Sequence, residues 1–293
     1  MTVSEEPLTF DCEGESLVGI LSRTAAPATR GVLIVVGGPQ YRVGSHRQFA
    51  LLARQLAEQG TPVMRFDYRG MGDSSGDPKD FEQAIPDLRA AVDTFFGAVE
   101  ALHEVVIWGL CDAASAALFY AHQDPRVSGV VLLNPWVRTM QGQAQTYLRH
   151  YYVRRLVDPA WWRRFARGEF DFKRSAASLA QNVRRAIGAE LGARPTDAGT
   201  NGVAPTSNAV QPLPERMADG LARFSGRVLL ILSGNDLTAK EFQDVTNASK
   251  QWRRLLASPR VTRRLLPDAT HTFSRREWRD QVAAWTAAWV RSW

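Results

Sequence analysis

The feature that most constrains this chain is a rhythm. Short, mostly apolar runs recur between stretches of helical spacing. Gly31–Val36 (GVLIVV) is wholly apolar and reads as a strand buried on both faces, and Pro62–Tyr68, Glu104–Trp108, Val127–Leu133, Arg227–Leu232 and Val261–Leu266 read as further strands. Between them, Ser45–Gln59, Phe81–Val99, Asp112–His122, Ala239–Leu256 and Trp278–Trp293 carry helical periodicity. Ser45 stands where the first helix would take its N-cap, and Gly60 follows its end. Strand–helix alternation predicts an α/β fold: a mostly parallel sheet joined by right-handed crossovers, with helices on both faces. Ahead of it, Glu6–Ser22 alternates around a central glycine and predicts a hairpin.

The rhythm stops after Trp136 and resumes near residue 221. The reading is therefore a sheet domain, 1–136 and 221–293, interrupted by an insertion at 137–220. Within the insertion, 188–215 is rich in Gly, Pro, Ser, Thr and Asn and reads as a flexible loop. A chain of 293 residues, 45% hydrophobic and 23% charged, can bury a large core and is not of disordered composition. Its first residues lack the basic and apolar segments of a secretory signal, and no run approaches the roughly 18 apolar residues of a membrane span. Two cysteines in unrelated contexts suggest no disulfide framework, so the expected compartment is the reducing cytoplasm. A net charge of +6 without a nucleic-acid-binding module does not point to nucleic acid as a partner.

The densest chemical signal is Val105–Ala114, VVIWGLCDAA. An apolar strand runs into Gly109-Leu110-Cys111-Asp112-Ala113, and a helix begins at once. This is the spacing of a nucleophile elbow, with cysteine at the centre and Ala113 in place of the usual last glycine. So sharp a strand-to-helix turn needs small neighbours, which Gly109 and Ala113 supply. It also sets Cys111 at a helix N-terminus, where the backbone dipole favours a thiolate.

A cysteine nucleophile needs a base, and histidine is the usual one. His122 falls within the helix behind the elbow and His150 in the insertion. His271, on the loop after the last strand, would stand at the same sheet edge as Cys111. The acid should follow the preceding strand, where RVLLILSGND puts Asp236, a residue that can also cap the next helix. Asp268 is nearer to His271 in sequence but would have to fold back along the same loop. The backbone N–H of Asp112 is one expected oxyanion donor. The second should come from the turn Gly37-Gly38-Pro39-Gln40; Pro39 has no N–H, so Gly38 is preferred, with Gln40 in reserve. Tyr41, Arg42 and Trp136 lie at the same edge and are candidate substrate contacts. Asp112 itself is one residue too late to be the nucleophile, but a carboxylate aimed at the sulfur would blunt the thiol. The scheme calls for no metal and no organic cofactor.

These residues carry a resemblance. Asp67-Tyr68-Arg69-Gly70-Met71-Gly72-Asp73-Ser74 resembles the D-x-R-G-x-G-x-S turn of α/β-hydrolases. With Gly37–Pro39, the elbow, Asp236 and His271, it matches that superfamily across the sheet domain and implies its fold. More narrowly, GGPQYRVGSHRQF, FDYRGMGDSSG and WGLCDAASAAL resemble the exosortase A system-associated hydrolases of the first type. That likeness implies a bacterial exopolysaccharide or protein-sorting setting. The cysteine elbow is also similar to that of dienelactone hydrolase, which lacks so large an insertion.

Between Arg138 and Arg185 stand eleven basic residues and three acidic ones, so the chain's basicity lies in the insertion. Aromatics are interleaved, among them Tyr151, Tyr152, Trp161 and Trp162. In an α/β-hydrolase such an insertion caps the site. Its composition suits a small or lipid-like acyl substrate with an anionic part, or docking on an anionic membrane surface. The same features also describe a solvated helical face with aromatics packed beneath it. Together these readings predict an enzyme that hydrolyses an ester, thioester or amide through Cys111, His271 and Asp236. An acyltransferase of the same mechanism and a weakly catalytic binding protein are the alternatives.

Overall fold

The computed structural model describes residues 3–38, 40–137 and 211–293. The expectations for 138–210, including the basic aromatic segment and most of the flexible loop, lie outside the described residues. The described segments on either side belong to one unit.

Eight strands form one sheet: β1 (Ser4–Cys12), β2 (Glu15–Arg23), β3 (Arg30–Val35), β4 (Val63–Phe66), β5 (Glu104–Leu110), β6 (Val127–Leu133), β7 (Arg227–Ser233) and β8 (Val261–Leu266). Their order is β1-β2-β4-β3-β5-β6-β7-β8. The hairpin β1–β2 is antiparallel and joins β4 antiparallel; every pairing from β4 to β8 is parallel. This is the mostly parallel sheet that the strand–helix rhythm predicts, in the arrangement that the α/β-hydrolase resemblance implies. The chain leaves β3 for β4 on one side and then crosses to β5 on the other. Open sheets bind ligands at such a switch, beyond the carboxyl ends of the diverging strands. Here those ends carry Gly37-Gly38 and Cys111.

Seven helices are described: α1 (Gln48–Glu58), α2 (Ile85–Ala98), α3 (Asp112–Tyr120), α4 (Leu213–Arg223), α5 (Leu237–Ala248), α6 (Lys250–Leu256) and α7 (Arg276–Val290). The pleat of β5 explains how both sheet faces acquire a core. Val105 and Ile107 point to the face covered by α2, α3, α4 and the Phe242–Trp252 pair of α5 and α6, whereas Val106 and Trp108 point to the face of α1 and α7. Trp108 meets Phe49 of α1 edge-on at 5.6 Å. The missing side chain of Gly220 lets α4 come close to α3: a Cβ there would collide with the Leu118 carbonyl.

Some boundaries differ from the sequence expectation. Ser45 does not cap α1; His46 and Arg47 have positive φ and the helix starts at Gln48 without a side-chain cap. The stretch Ala239–Leu256 is two helices, the second capped by Ser249 on the Trp252 N–H. Helix α4 begins inside the segment read as loop and insertion, and buries Met217, Ala218 and Leu221.

Candidate active site

Cys111 sits between β5 and α3 with φ 64° and ψ −124°. A left-handed backbone is costly for a residue with a side chain, and surrounding contacts must hold it. Several do. The Cys111 N–H donates to Leu133 O (2.9 Å), and its carbonyl accepts from Ala114 N (3.1 Å) and Trp136 N (3.2 Å). Ser115 Oγ donates to Trp136 O (2.7 Å), tying the end of β6 to the same turn. A Cβ at Gly109 would lie 2.6 Å from the Ala113 backbone, which explains the glycine. The thiol is free and half-buried.

The imidazole of His271 arrives on the loop after β8. Its Nδ1 lies 2.9 Å from Asp236 Oδ2, and the Cys111 side chain is near enough to act on the ring's protonation. Asp236 precedes α5 and accepts from Thr238 N (3.3 Å) and Ala239 N (3.0 Å), so the carboxylate caps the helix and holds the ring together. Asp268 is exposed on the histidine's own loop. Burial alone would lower the His271 pKa, but its bonds and charge pairing with Asp236 and Cys111 outweigh it and hold the imidazole at about 10. Burial would raise Asp236, and His271 with the two helix N–H groups keeps it below the usual carboxylate range.

One residue missed in the sequence organises this corner. Asn134, fully buried with φ 43°, donates through Nδ2 to Ser233 Oγ (2.8 Å) and to His271 O (3.0 Å), while its Oδ1 accepts from Ser233 N (2.9 Å). It thereby ties the ends of β6 and β7 to the histidine loop. Its one sequence signal is an asparagine directly after an apolar strand, a residue that tolerates positive φ better than most.

The expected donor Gly38 N is engaged by Asp112. The Asp112 carboxylate is turned to the loop after β3: Oδ2 accepts from Gly38 N (2.8 Å) and Oδ1 from Ala113 N (3.0 Å), and the Asp112 N–H also acts electrostatically on it. Gln40 donates its N–H to Gly38 O (2.8 Å), and its side-chain oxygen accepts from Ser45 N and Oγ (3.1 Å each). Arg42 is bound to Asp67 and Asp73, so its guanidinium braces the loop. Asp67 also accepts from Arg42 N (2.6 Å) and Asp73 N (3.1 Å), and a Cβ at Gly72 would strike its carboxylate; this is why the turn carries that aspartate and that glycine. Tyr41 is exposed beside the Arg42 guanidinium. Trp136 is half-buried behind the elbow.

Comparison with known proteins agrees with this fold. The profile of the Alpha/beta hydrolase family matches residues 32–285. The chain belongs to that family. Among solved structures, it is similar to the esterase Pf2001 of Pyrococcus furiosus, with a TM-score of 0.64 and 15% identity over 99% of this chain and 91% of that one. It is also similar to XC6422 of Xanthomonas campestris, described as an a/b serine hydrolase without lid (TM-score 0.56, 15% identity, 99% and 97% covered). A third is an alpha-beta serine hydrolase homologue from Coxiella burnetii (TM-score 0.57, 14% identity, 95% and 96% covered). Of curated proteins, the polyketide transferase grgF of Penicillium sp. is 28% identical over 143 residues. That match covers 47% of this α/β hydrolase and 48% of the transferase, so it spans about half of either chain. No helix among the described residues is long and apolar enough to cross a membrane.

Proposed function

We propose that this α/β hydrolase cleaves or transfers an acyl group, as an ester or thioester, through a Cys111–His271–Asp236 triad. One observation carries the reading: a strained cysteine at the switch point of the sheet, at the same edge as an imidazole whose Nδ1 lies 2.9 Å from the Asp236 carboxylate. Fold-level likeness to esterases makes ester chemistry the natural class.

In this mechanism the Cys111 sulfur attacks the substrate carbonyl carbon and its proton resides on His271. The C=O electron pair moves to oxygen, where the N–H groups of Asp112 and Gly38 are the donors. As the tetrahedral adduct collapses, the bond to the leaving group breaks and His271 gives the proton to the departing oxygen or sulfur. A thioester remains on Cys111. Water then attacks, His271 takes its proton and returns it to sulfur, and the acid leaves. Asp236 orients the ring and balances its positive charge.

Replacing water by an alcohol or amine acceptor turns the same steps into transfer. The polyketide transferase relative favours keeping that second reading, since its name describes a group transfer. The basic aromatic composition of Arg138–Arg185 supports an acyl substrate bearing an anionic part or an anionic membrane surface, and the motif resemblance supports an exosortase or exopolysaccharide setting.

The test uses p-nitrophenyl acetate and iodoacetamide. Cys12 is buried and donates to Asp87 Oδ1 (3.2 Å), and burial with that carboxylate pushes its thiol up to about 12. One equivalent of iodoacetamide should therefore be taken up near neutral pH, at Cys111. The ester should give a burst of nitrophenolate with an acyl group trapped on Cys111 by mass spectrometry. A Cys111→Ala variant that hydrolyses as fast as the parent would end the proposal.

A further inference from the structure

The N–H groups that would stabilise an oxyanion are already engaged by the chain itself. Gly38 N is 2.8 Å from Asp112 Oδ2 and Ala113 N is 3.0 Å from Oδ1, and Asp112's own N–H also acts electrostatically on the same carboxylate. These donors come from two separate elements, the turn after β3 and the first turn of α3. Their convergence on one anion is what an oxyanion hole provides for a tetrahedral adduct. The surrounding sequence accommodates this occupant: a Cβ at Gly37 would collide with Asp112 Oδ1 and lie 2.6 Å from Leu110 O, so the carboxylate fits only because residue 37 is glycine.

We propose that Asp112 is an autoinhibitory plug: its carboxylate fills the oxyanion hole at rest, and acylation of Cys111 requires that the substrate displace it. The inference rests on the triad reading above. A neutral carbonyl is a poorer acceptor than a carboxylate, because hydrogen bonds to charged groups are about twice as strong as neutral ones. A small ester therefore competes badly for the hole, whereas a substrate with further contacts can use that binding to drive the carboxylate out. Displacement is within reach. Burial leaves the Asp112 carboxyl above the ordinary aspartate range despite these N–H groups, so they do not fully replace the water it has lost. The plug thus acts as a specificity filter, slowing reaction with esters that offer nothing beyond a carbonyl.

The experiment compares two reactions of the same sulfur in the full-length protein. Acylation by p-nitrophenyl acetate develops an oxyanion, and alkylation by iodoacetamide does not. In Asp112→Ala the hole is vacated, and the acylation rate should rise about tenfold or more, up to the roughly 100- to 1,000-fold that a single oxyanion donor is worth. Alkylation should stay within about threefold of the parent, as expected for a change at the hole and not at the thiol. Asp112→Asn keeps an acceptor for Gly38 without the charge, should give an intermediate rise, and serves where the alanine variant does not fold. If acylation and alkylation rise together, the carboxylate acts on the thiol and the plug is overturned. If acylation is unchanged or falls in a folded variant, Asp112 only clamps two turns and the plug is again overturned. If neither parent nor variants carry acyl on Cys111 while iodoacetamide still modifies it, the triad reading fails and takes the plug with it.

Discussion

At the scale of single residues, Asn134 does much with little. One side chain satisfies Ser233 twice and holds the His271 carbonyl, in a backbone conformation that few other residues adopt cheaply. Asn134→Ala would leave the Ser233 N–H and the His271 carbonyl short of a partner at about 1–3 kcal/mol for each buried group. We expect a lower urea midpoint and a slower acylation burst, with iodoacetamide uptake at Cys111 retained. Such a residue is hard to find in a sequence, because its worth depends on three groups that are far apart along the chain. Cys111, Asp236 and His271 are easier to see, because strand ends followed by loops mark the sheet edge where such side chains gather. The direction of the Asp112 side chain was not legible at all. Position along the chain fixed its place beside the sulfur, but its rotamer depends on a glycine turn more than 70 residues earlier.

At the scale of elements, β3, β5, β6 and β7 were legible because buried strands leave apolar runs. Helix limits were less so, since caps are local and tertiary packing overrides them. Ser45 looked like a cap, yet the left-handed His46 and Arg47 delay α1. Ser249 looked like an interior residue, yet it starts a new helix. Helix α4 was hidden by the prolines before it, although proline at a helix start is favourable. The elbow offers a sharp test of this element-level reasoning. Gly109→Ala would push a Cβ to 2.6 Å from the Ala113 backbone, so β5 and α3 could not meet at the present angle. The expected result is a loss of about 1–3 kcal/mol, read by chemical denaturation, together with loss of the acylation burst.

At the scale of the whole molecule, the His271–Asp236 pair links stability to pH. Its imidazole has a folded-state pKa of about 10 against an ordinary 6.5. A raised value means that the folded state holds the proton more tightly than the unfolded chain. The stabilisation is therefore fully present below about pH 6.5 and is lost as pH rises through about 10. Melting temperature measured across that window should fall in the parent more steeply than in Asp236→Asn, which lacks the ion pair. Parallel curves would show that the pair contributes nothing to folding.

The parallel ladder between β6 and β7 has a consequence for how such a protein can diversify. The long segment that leaves after β6 returns through α4 to the neighbouring strand, which pairs with β6 from Gly129–Arg227 to Leu133–Ile231. Exit and re-entry are thus anchored side by side by the sheet itself. Closing a longer excursion adds only about 0.6 kcal/mol for each doubling of its length. The sheet can therefore host one inserted segment after another, as a socket accepts different fittings, without any change to the strands on either side.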